Sequence, residues 1–298
     1  MSDTLASLRR KIDGAVKLES VVRTMKAVAA SAIGQYETAV QALGDYEHSV
    51  ELGLSLCFRQ GEVMAHPVNG RSSNGSIGAI VFGSDQGLVG QFNETIADFV
   101  EKTLTTLPGD KRIWAVGERI CGRLSDAGFT LAGQYAVPGS VDGITSLVDE
   151  LQMALEAQKK DAAVEVYVFH AQPTSGSLYE PVSQRLLPLD AEWQKTLMKV
   201  QWPTKSLPEL LGQTEPTANA FIREYLFIAL FKACAESLAS ENASRLAAMQ
   251  RAEKNIDSLL ANLNRTFYRL RQNSIDEELF DIVSGFNALA PSKKAPSL

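Results

Sequence analysis

An apolar repeat fills residues 5–50, LASLRRKIDGAVKLESVVRTMKAVAASAIGQYETAVQALGDYEHSV. Its apolar positions are spaced alternately by three and four residues, and only Glu19 interrupts them. They are Leu5, Leu8, Ile12, Ala15, Val22, Met25, Ala29, Ala32, Tyr36, Ala39, Leu43, Tyr46 and Val50. A period of about 3.5 residues held over about six heptads is typical of a helix in a left-handed coiled coil. The repeat therefore predicts an N-terminal rod helix over 1–60 that needs a second helix against its seam.

The partner helix is expected at the other end of the chain, because residues 217–284 contain neither Gly nor Pro. A helix of that length extends for about 100 Å at about 1.5 Å per residue. The three-four spacing recurs within it at Ile256, Leu259, Leu263, Thr266 and Leu270. Residues 221–231 are apolar on several faces and should be buried. We expect a C-terminal rod helix over 217–286, antiparallel to the first, whose last turns extend beyond it.

Between these two ends the pattern changes to alternating strands and helices. Apolar runs at 79–82, 113–116, 164–170 and 182–189 are typical of strands, and residues 118–127 and 140–158 of helices. This alternation predicts a Rossmann-like α/β domain with a mainly parallel sheet over 75–190. The fold class is therefore α/β plus a long coiled coil.

Three further segments carry loop signals. Residues 69–78 are rich in Gly, Ser and Asn, and predict a loop before the first strand. Residues 191–216 predict an irregular connector because they contain Trp193, Trp202, Pro203, Pro208 and Pro216. Residues 287–298 end in a polar segment that we expect to be a disordered tail.

Composition excludes several classes of function. The net charge of -6 and the isoelectric point near 5.3 argue against nucleic acid as a partner. No run of 18 apolar residues occurs, so no direct membrane insertion is expected, and the charged residues among 1–20 leave no apolar core for a secretory signal. Cys57, Cys121 and Cys234 lack C-x-x-C spacing, which fits a reducing compartment.

The sequence predicts no catalytic, cofactor or metal site. Residues 83–90, GSDQGLVG, follow a strand as a phosphate-binding turn would, but they match neither G-x-G-x-x-G nor G-x-x-x-x-G-K-[ST]. A structural turn is favoured over a nucleotide site. His48, His66 and His170 lie far apart, and none has a second His or Cys at the i+3 or i+4 spacing that zinc sites use. Ser175 and Ser177 lack the G-x-S-x-G elbow. A nucleotide-binding enzyme and a static coiled-coil adaptor remain as alternatives.

Four segments, spread in order over nearly the whole chain, resemble the gamma subunit of F-type ATP synthases. They are RKI at 10–12 with TMKAVAAS at 24–31, SDQGLVG at 84–90 with Asn93, ESLASENASR at 236–245 with Ala248 and Met249, and LRQNSI at 270–275 with Glu278, Leu279, Ile282 and Val283. Two departures indicate a divergent branch. The basic cluster that usually follows Ser31 is replaced by AIGQ at 32–35, and AEKNI at 252–256 replaces a small-residue run.

The resemblance implies a rotor without an active site of its own. The paired helices would form an axle inside a ring of three catalytic and three non-catalytic subunits, with the α/β domain on the membrane ring. Its implied partners are the alpha and beta subunits of the catalytic head, the epsilon subunit and the ring of c subunits. The implied location is peripheral, on the cytoplasmic face of the cell membrane, and no cofactor is expected.

Basic side chains along the predicted helices suggest where such a head would make contact. They are Arg9, Arg10, Lys11, Arg23, Lys26, Arg251, Lys254, Arg265, Arg269 and Arg271. The resemblance places acidic catch loops of the catalytic subunits there, and charge pairs across a partly desolvated contact can favour particular angular positions. The candidate subunit-contact residues are Met25, Lys26, Arg251, Arg271 and Gln272.

Overall fold

A computed structural model describes residues 4–59, 76–158, 164–175, 178–206, 208–210 and 213–289. Several predictions lie wholly or partly outside these residues: most of the loop at 69–78, the end of the tail at 290–298, His66, and the Gly176 and Ser177 pair. The chain divides into two compact units. The helical unit comprises the described parts of Met1–Lys26 and Met249–Leu298, and the sheet unit comprises those of Ala27–Ala248.

Seven helices and five strands make up the described residues. The helices are α1 (Leu5–Ala42), α2 (Gly44–Arg59), α3 (Phe92–Thr106), α4 (Glu118–Asp126), α5 (Val141–Gln158), α6 (Ala191–Lys199) and α7 (Thr214–Leu289). The strands are β1 (Ser76–Phe82), β2 (Asp110–Val116), β3 (Leu131–Tyr135), β4 (Val164–Gln172) and β5 (Glu180–Leu187).

The sheet unit is built on one five-stranded sheet in the order β3-β2-β1-β4-β5. The first three pairings are parallel, and β5 runs antiparallel to β4 at the edge. The mainly parallel sheet of the predicted fold class is therefore confirmed. Such sheets are covered by helices on both faces, which explains the uninterrupted apolar runs of β1 and β2.

Two apolar layers cover the sheet. Alternate residues such as Ile80 and Phe82 pack with α5 and the 226–239 part of α7, and the intervening Ala79 and Val81 pack with α3 and α4. A third cluster joins α2, α6 and the start of α7 around Leu54. The prediction that residues 221–231 would be buried agrees with these layers, since this part of α7 contacts two of them.

The helical unit shows the predicted heptad seam. Leu8, Ala15 and Val22 are buried at intervals of seven along α1. Ion pairs from Arg23 and Lys26 to Glu253 join α1 to α7. Further along α1, Tyr36 lies near Cys234 and Glu241, which precede Glu253 on α7, so the two helices run antiparallel. In the sheet unit the seam continues with the buried Ala29 and Tyr36.

Three sequence predictions need correction. The N-terminal helix is interrupted, since α1 ends at Ala42 and α2 begins at Gly44, a residue that costs helix stability. The predicted irregular connector begins with a helix, α6, whose N-cap Asp190 accepts a hydrogen bond from the Glu192 N–H at 3.0 Å. Leu259, assigned to the C-terminal seam, is 49% exposed, whereas its neighbour Leu260 is half-buried.

Candidate contact surface

The five predicted contact residues all belong to the helical unit, but they form two groups. Met25 and Lys26 are half-buried on α1, and Arg251 is exposed on α7 near their height, two residues before Glu253. Arg271 and Gln272 are exposed and lie about 30 Å beyond Arg251 along α7, at about 1.5 Å per residue. The structure therefore places Met25, Lys26 and Arg251 at a similar height, with Arg251 on a different side of α7 from Glu253, and leaves the other two as a separate group.

Lys26 is not a free positive charge. Its Nζ lies 2.6 Å from Glu253 Oε2, and Arg23 Nε lies 3.4 Å from the other oxygen of the same carboxylate. Arg23 also pairs with Glu19 at 2.5 Å. The hydrogen bond from Lys26, followed by its charge and by Arg23, holds the pKa of Glu253 below its usual value. Two carboxylates thus offset two cations at the height where a basic surface was predicted.

Sequence reasoning missed the role of Glu253, although a signal for it was present. The segment 252–256 was recognised as a departure from the family pattern, and a Glu there faces α1 only if α7 passes in the antiparallel register now observed. The register of two helices is set by how they pack in the folded chain. Sequence spacing alone could therefore not show that Glu253 pairs with Arg23 and Lys26.

The end of α7 carries an exposed apolar surface. Burial ends near Ser274, and from there to residue 286 every described side chain is exposed. The apolar ones are Ile275, Leu279, Phe280, Ile282, Val283 and Phe286, the last of them 75% exposed. A contiguous exposed apolar surface is typical of a site of contact with another molecule. We refer to residues 275–289 as the tip.

The glycine turn after β1 is held together by its own side chains. Asn93 donates to Ser84 Oγ at 2.8 Å and accepts from the Ser84 N–H at 3.0 Å. The Asp85 carboxylate accepts from the N–H groups of Glu118 and Val137, each at 2.9 Å, which ties the turn to the loops after β2 and β3. The N–H at the start of α4, where an anion would bind, is therefore occupied by Asp85.

Close approach of the backbones at this edge of the sheet requires a glycine. Gly117 has a φ of 114°, and a Cβ at this position would lie 2.8 Å from the Ser84 backbone nitrogen. Both observations favour the structural-turn interpretation of residues 83–90 over a nucleotide site, because the turn's polar groups bind the protein itself.

The segment 236–245 of α7 is anchored to the same edge of the sheet. Ser240 donates to the Ala171 carbonyl at 3.1 Å, and Ser244 donates to the Val89 carbonyl at 2.5 Å. One turn earlier, Glu236 bonds to His170 at 2.8 Å. These side chains recur every four residues, so they lie on one face of the helix and form three hydrogen bonds with the edge of the sheet. The 236–245 segment therefore fixes the register of this part of α7 on the sheet.

Potential metal ligands are not grouped in the part of the chain that the structure describes. No group of three His, Cys, Asp or Glu side chains there could hold a metal ion. His48 is exposed on α2, whereas His170 is buried on β4. Among the described helices, none is long and apolar enough to span a membrane.

Comparisons with known proteins point in one direction. A family model described as ATP synthase matches residues 4–289. The ATP synthase gamma chain of Frankia casuarinae is 28% identical, over 97% of this chain and 99% of the relative. The gamma chain of Lachnoclostridium phytofermentans is 27% identical over 94% of both chains.

Solved structures share the fold. A chain of the Euglena gracilis mitochondrial ATP synthase, in a structure of OSCP, F1 and the c-ring, superimposes with a TM-score of 0.62 at 14% identity and covers 99% of both chains. A chain from the central stalk and c-ring of the Tetrahymena thermophila enzyme gives a TM-score of 0.54 at 22% identity, over 78% of this chain and 99% of that one.

Proposed function

This chain belongs to the ATP synthase family represented by those gamma chains, and from that membership we infer how it works. It is a central-stalk subunit of an F-type ATP synthase. We propose that it transmits torque between the ion-driven membrane ring and three catalytic sites, and that it has no active site of its own. The observation that carries this proposal is the antiparallel pairing of α1 and α7 along a heptad seam, in a chain that matches the family from residue 4 to residue 289.

The construction of the paired helices suits a part that bears torque. In α7 every residue from 217 to 284 keeps its backbone N–H and can propagate the helix, and no glycine supplies a hinge. A single helix bends and twists easily, whereas two helices locked by a seam and by the Glu253 ion pairs must move together. Torque applied to one helix is thereby passed to the other.

The proposed partners follow from the family. In this proposal the alpha and beta subunits surround the helical unit, and the epsilon subunit and the ring of c subunits complete the rotor. The complex would lie at the cytoplasmic face of the cell membrane, with this chain held there through its partners. No cofactor enters the proposed role.

Two contacts with the head are proposed from the exposed surfaces of the helical unit. The first uses Met25, Lys26 and Arg251, where Glu253 limits the positive charge that a partner would meet. The second uses Arg271 and Gln272, next to the exposed apolar tip. The second contact combines charge with apolar surface, so we assign it the larger share of the interaction with the head.

A single-molecule rotation assay tests the proposed function. Cys57, Cys121 and Cys234 are all buried, so a Lys102→Cys substitution on the exposed face of α3 gives one reactive thiol for a bead. With the catalytic head fixed to a surface, ATP should turn the bead in one direction with three stops per revolution. A bead that stays still on complexes that hydrolyse ATP would rule out the rotor role. The same bead on the wild-type chain controls for labelling of the buried thiols.

A further inference from the structure

A pocket opens in the sheet unit between α5, the end of β5 and the first turns of α7, and the proposed function does not use it. Its volume is about 260 Å³. Eight side chains line it, four of them aliphatic and four polar or charged. A cavity of about 150 Å³ is large enough for benzene, so this pocket has room for about nine non-hydrogen atoms.

The inner wall of the pocket is aliphatic. Leu155 of α5 and Leu226 of α7 are 5% and 6% exposed. Leu187 of β5 and Ile222 of α7 are half-buried and pack against the same apolar layer of the sheet unit. The pocket is therefore an opening into the hydrophobic core, and an aliphatic chain placed there is removed from water as a core side chain is.

The rim of the pocket has one charge of each sign. Arg223 Nε lies 3.2 Å from Glu156 Oε1, so the lining is neutral as a whole. The Gln152 amide nitrogen donates to the Arg223 carbonyl at 2.9 Å, which leaves its carbonyl oxygen to accept. The Asn219 amide is exposed and forms no hydrogen bond with any described residue. The rim thus offers open amide groups without a net charge.

We propose that this pocket binds a small neutral amphiphile, an aliphatic chain of about seven carbons that ends in an amide or hydroxyl group. The chain fills the aliphatic part, and the head exchanges hydrogen bonds with the Asn219 and Gln152 amides. A charged head is disfavoured because it loses hydration and meets a like charge beside the opposite one in the Arg223–Glu156 pair. The site is independent of the rotor role, which stands if the site is disproved.

Three probes of equal chain length test the class of ligand. Heptanamide is neutral, heptanoate has nearly the same shape with a negative charge, and heptylammonium is positive. Methyl NMR of the full chain at low ionic strength follows the Ile222 δ1 methyl group, which is assigned by its loss in Ile222→Val. We expect heptanamide to shift this resonance saturably, with a Kd about tenfold below that of either ion.

Changing one rim charge at a time tests whether the ion pair sets this preference. Glu156→Gln leaves Arg223 unpaired, so heptanoate should bind about threefold more tightly than it binds the wild type. Arg223→Gln leaves Glu156 unpaired, and heptylammonium should gain by a similar factor. The gains are modest because both side chains are exposed and water screens their charges.

Lys195→Gln is the matched control. Lys195 pairs with Glu192 on α6 at 2.8 Å and does not line the pocket, so this variant removes an exposed charge from elsewhere in the sheet unit. It should bind each probe as the wild type does. The proposal is overturned if heptanamide causes no saturable shift of the Ile222 methyl resonance, if either ion binds the wild type as tightly as heptanamide, or if neither rim variant gains affinity for its ion.

Discussion

Asp85 is the residue that holds the glycine turn to its neighbours. Its two carboxylate oxygens each accept one backbone N–H, from Glu118 and Val137. In Asp85→Asn one oxygen becomes an NH₂ group that faces a donor, so we expect the unfolding free energy to fall by about 1.5–3 kcal/mol. Urea denaturation of the full chain measures it. Asp126→Asn, at an exposed position on α4, should change stability by no more than about 0.5 kcal/mol, and an equal loss in both variants would contradict this role for Asp85.

Arg271 and Lys26 should differ as contacts with the head. Lys26 is already paired with Glu253. Arg271 is exposed and forms no ion pair with an acidic side chain of the described residues. Arg271→Gln should therefore lower the number of ions pumped per ATP more than Lys26→Gln does. The expected difference is about fivefold for a contact worth on the order of 1 kcal/mol.

Ion pumping by reconstituted vesicles, measured beside ATP hydrolysis, checks this difference. Lys102→Gln, which removes a charge from α3, is the control and should leave the ratio unchanged. Equal effects of the Arg271 and Lys26 variants would mean that the Glu253 pair opens when the head binds, and the assignment of the larger share to Arg271 would be withdrawn.

At the scale of elements, α1 has one buried and one exposed apolar face. Leu8 is 1% exposed in the seam, and Leu18 is 58% exposed outside it. Leu8→Ala should destabilise the free chain by about 2–5 kcal/mol through the lost burial and the remaining cavity, and Leu18→Ala by no more than about 0.5 kcal/mol. Thermal or urea unfolding of both variants decides this, and a larger loss from Leu18→Ala would disprove the seam.

The spacing of apolar residues predicted the helices and strands that are buried on one face or on all faces. The seam at Leu8, Ala15 and Val22 was readable because burial recurs every seven residues, and β1 because both its faces are covered. The strand β3 was missed because it is a short edge strand of alternating exposure. Leu259 and Leu260 are chemically identical, so only the path of α7 against α1 decides which of them is sheltered.

The contact surface was less predictable than the fold. The basic positions were visible in the sequence, but the charge a partner meets depends on which acidic side chains lie beside them. Glu253 is 230 residues from Arg23, and only the antiparallel register brings them within 3.4 Å. Long-range pairing of this kind leaves no local pattern.

At the scale of the whole molecule, the nucleotide-binding alternative makes a clear prediction. A phosphate at the glycine turn would have to displace the Asp85 carboxylate from the start of α4 and would meet its negative charge. We expect calorimetry of the full chain with ATP and with NAD to show no saturable binding. Asp85→Asn removes the negative charge, so comparing it with the wild type shows whether that charge alone keeps a phosphate out of the turn. Saturable binding to the wild type would restore the enzyme alternative.

The tip provides the last prediction. Residues 275–286 are exposed in the free chain, so ending the chain after Ser274 should leave its unfolding free energy unchanged within about 0.5 kcal/mol. In the complex the six apolar tip side chains should be covered by the head, and burying each contributes about 1.5–3 kcal/mol before the costs of association. The truncated chain should therefore dissociate from the head faster than the full chain, as measured by surface-immobilised heads and labelled chain. The variants Phe286→Ser and Phe280→Ser keep the full length of the chain. They therefore show whether faster dissociation comes from the lost apolar surface or from the shortened chain. Unchanged dissociation in all three variants would mean that the tip lies free in the assembled enzyme.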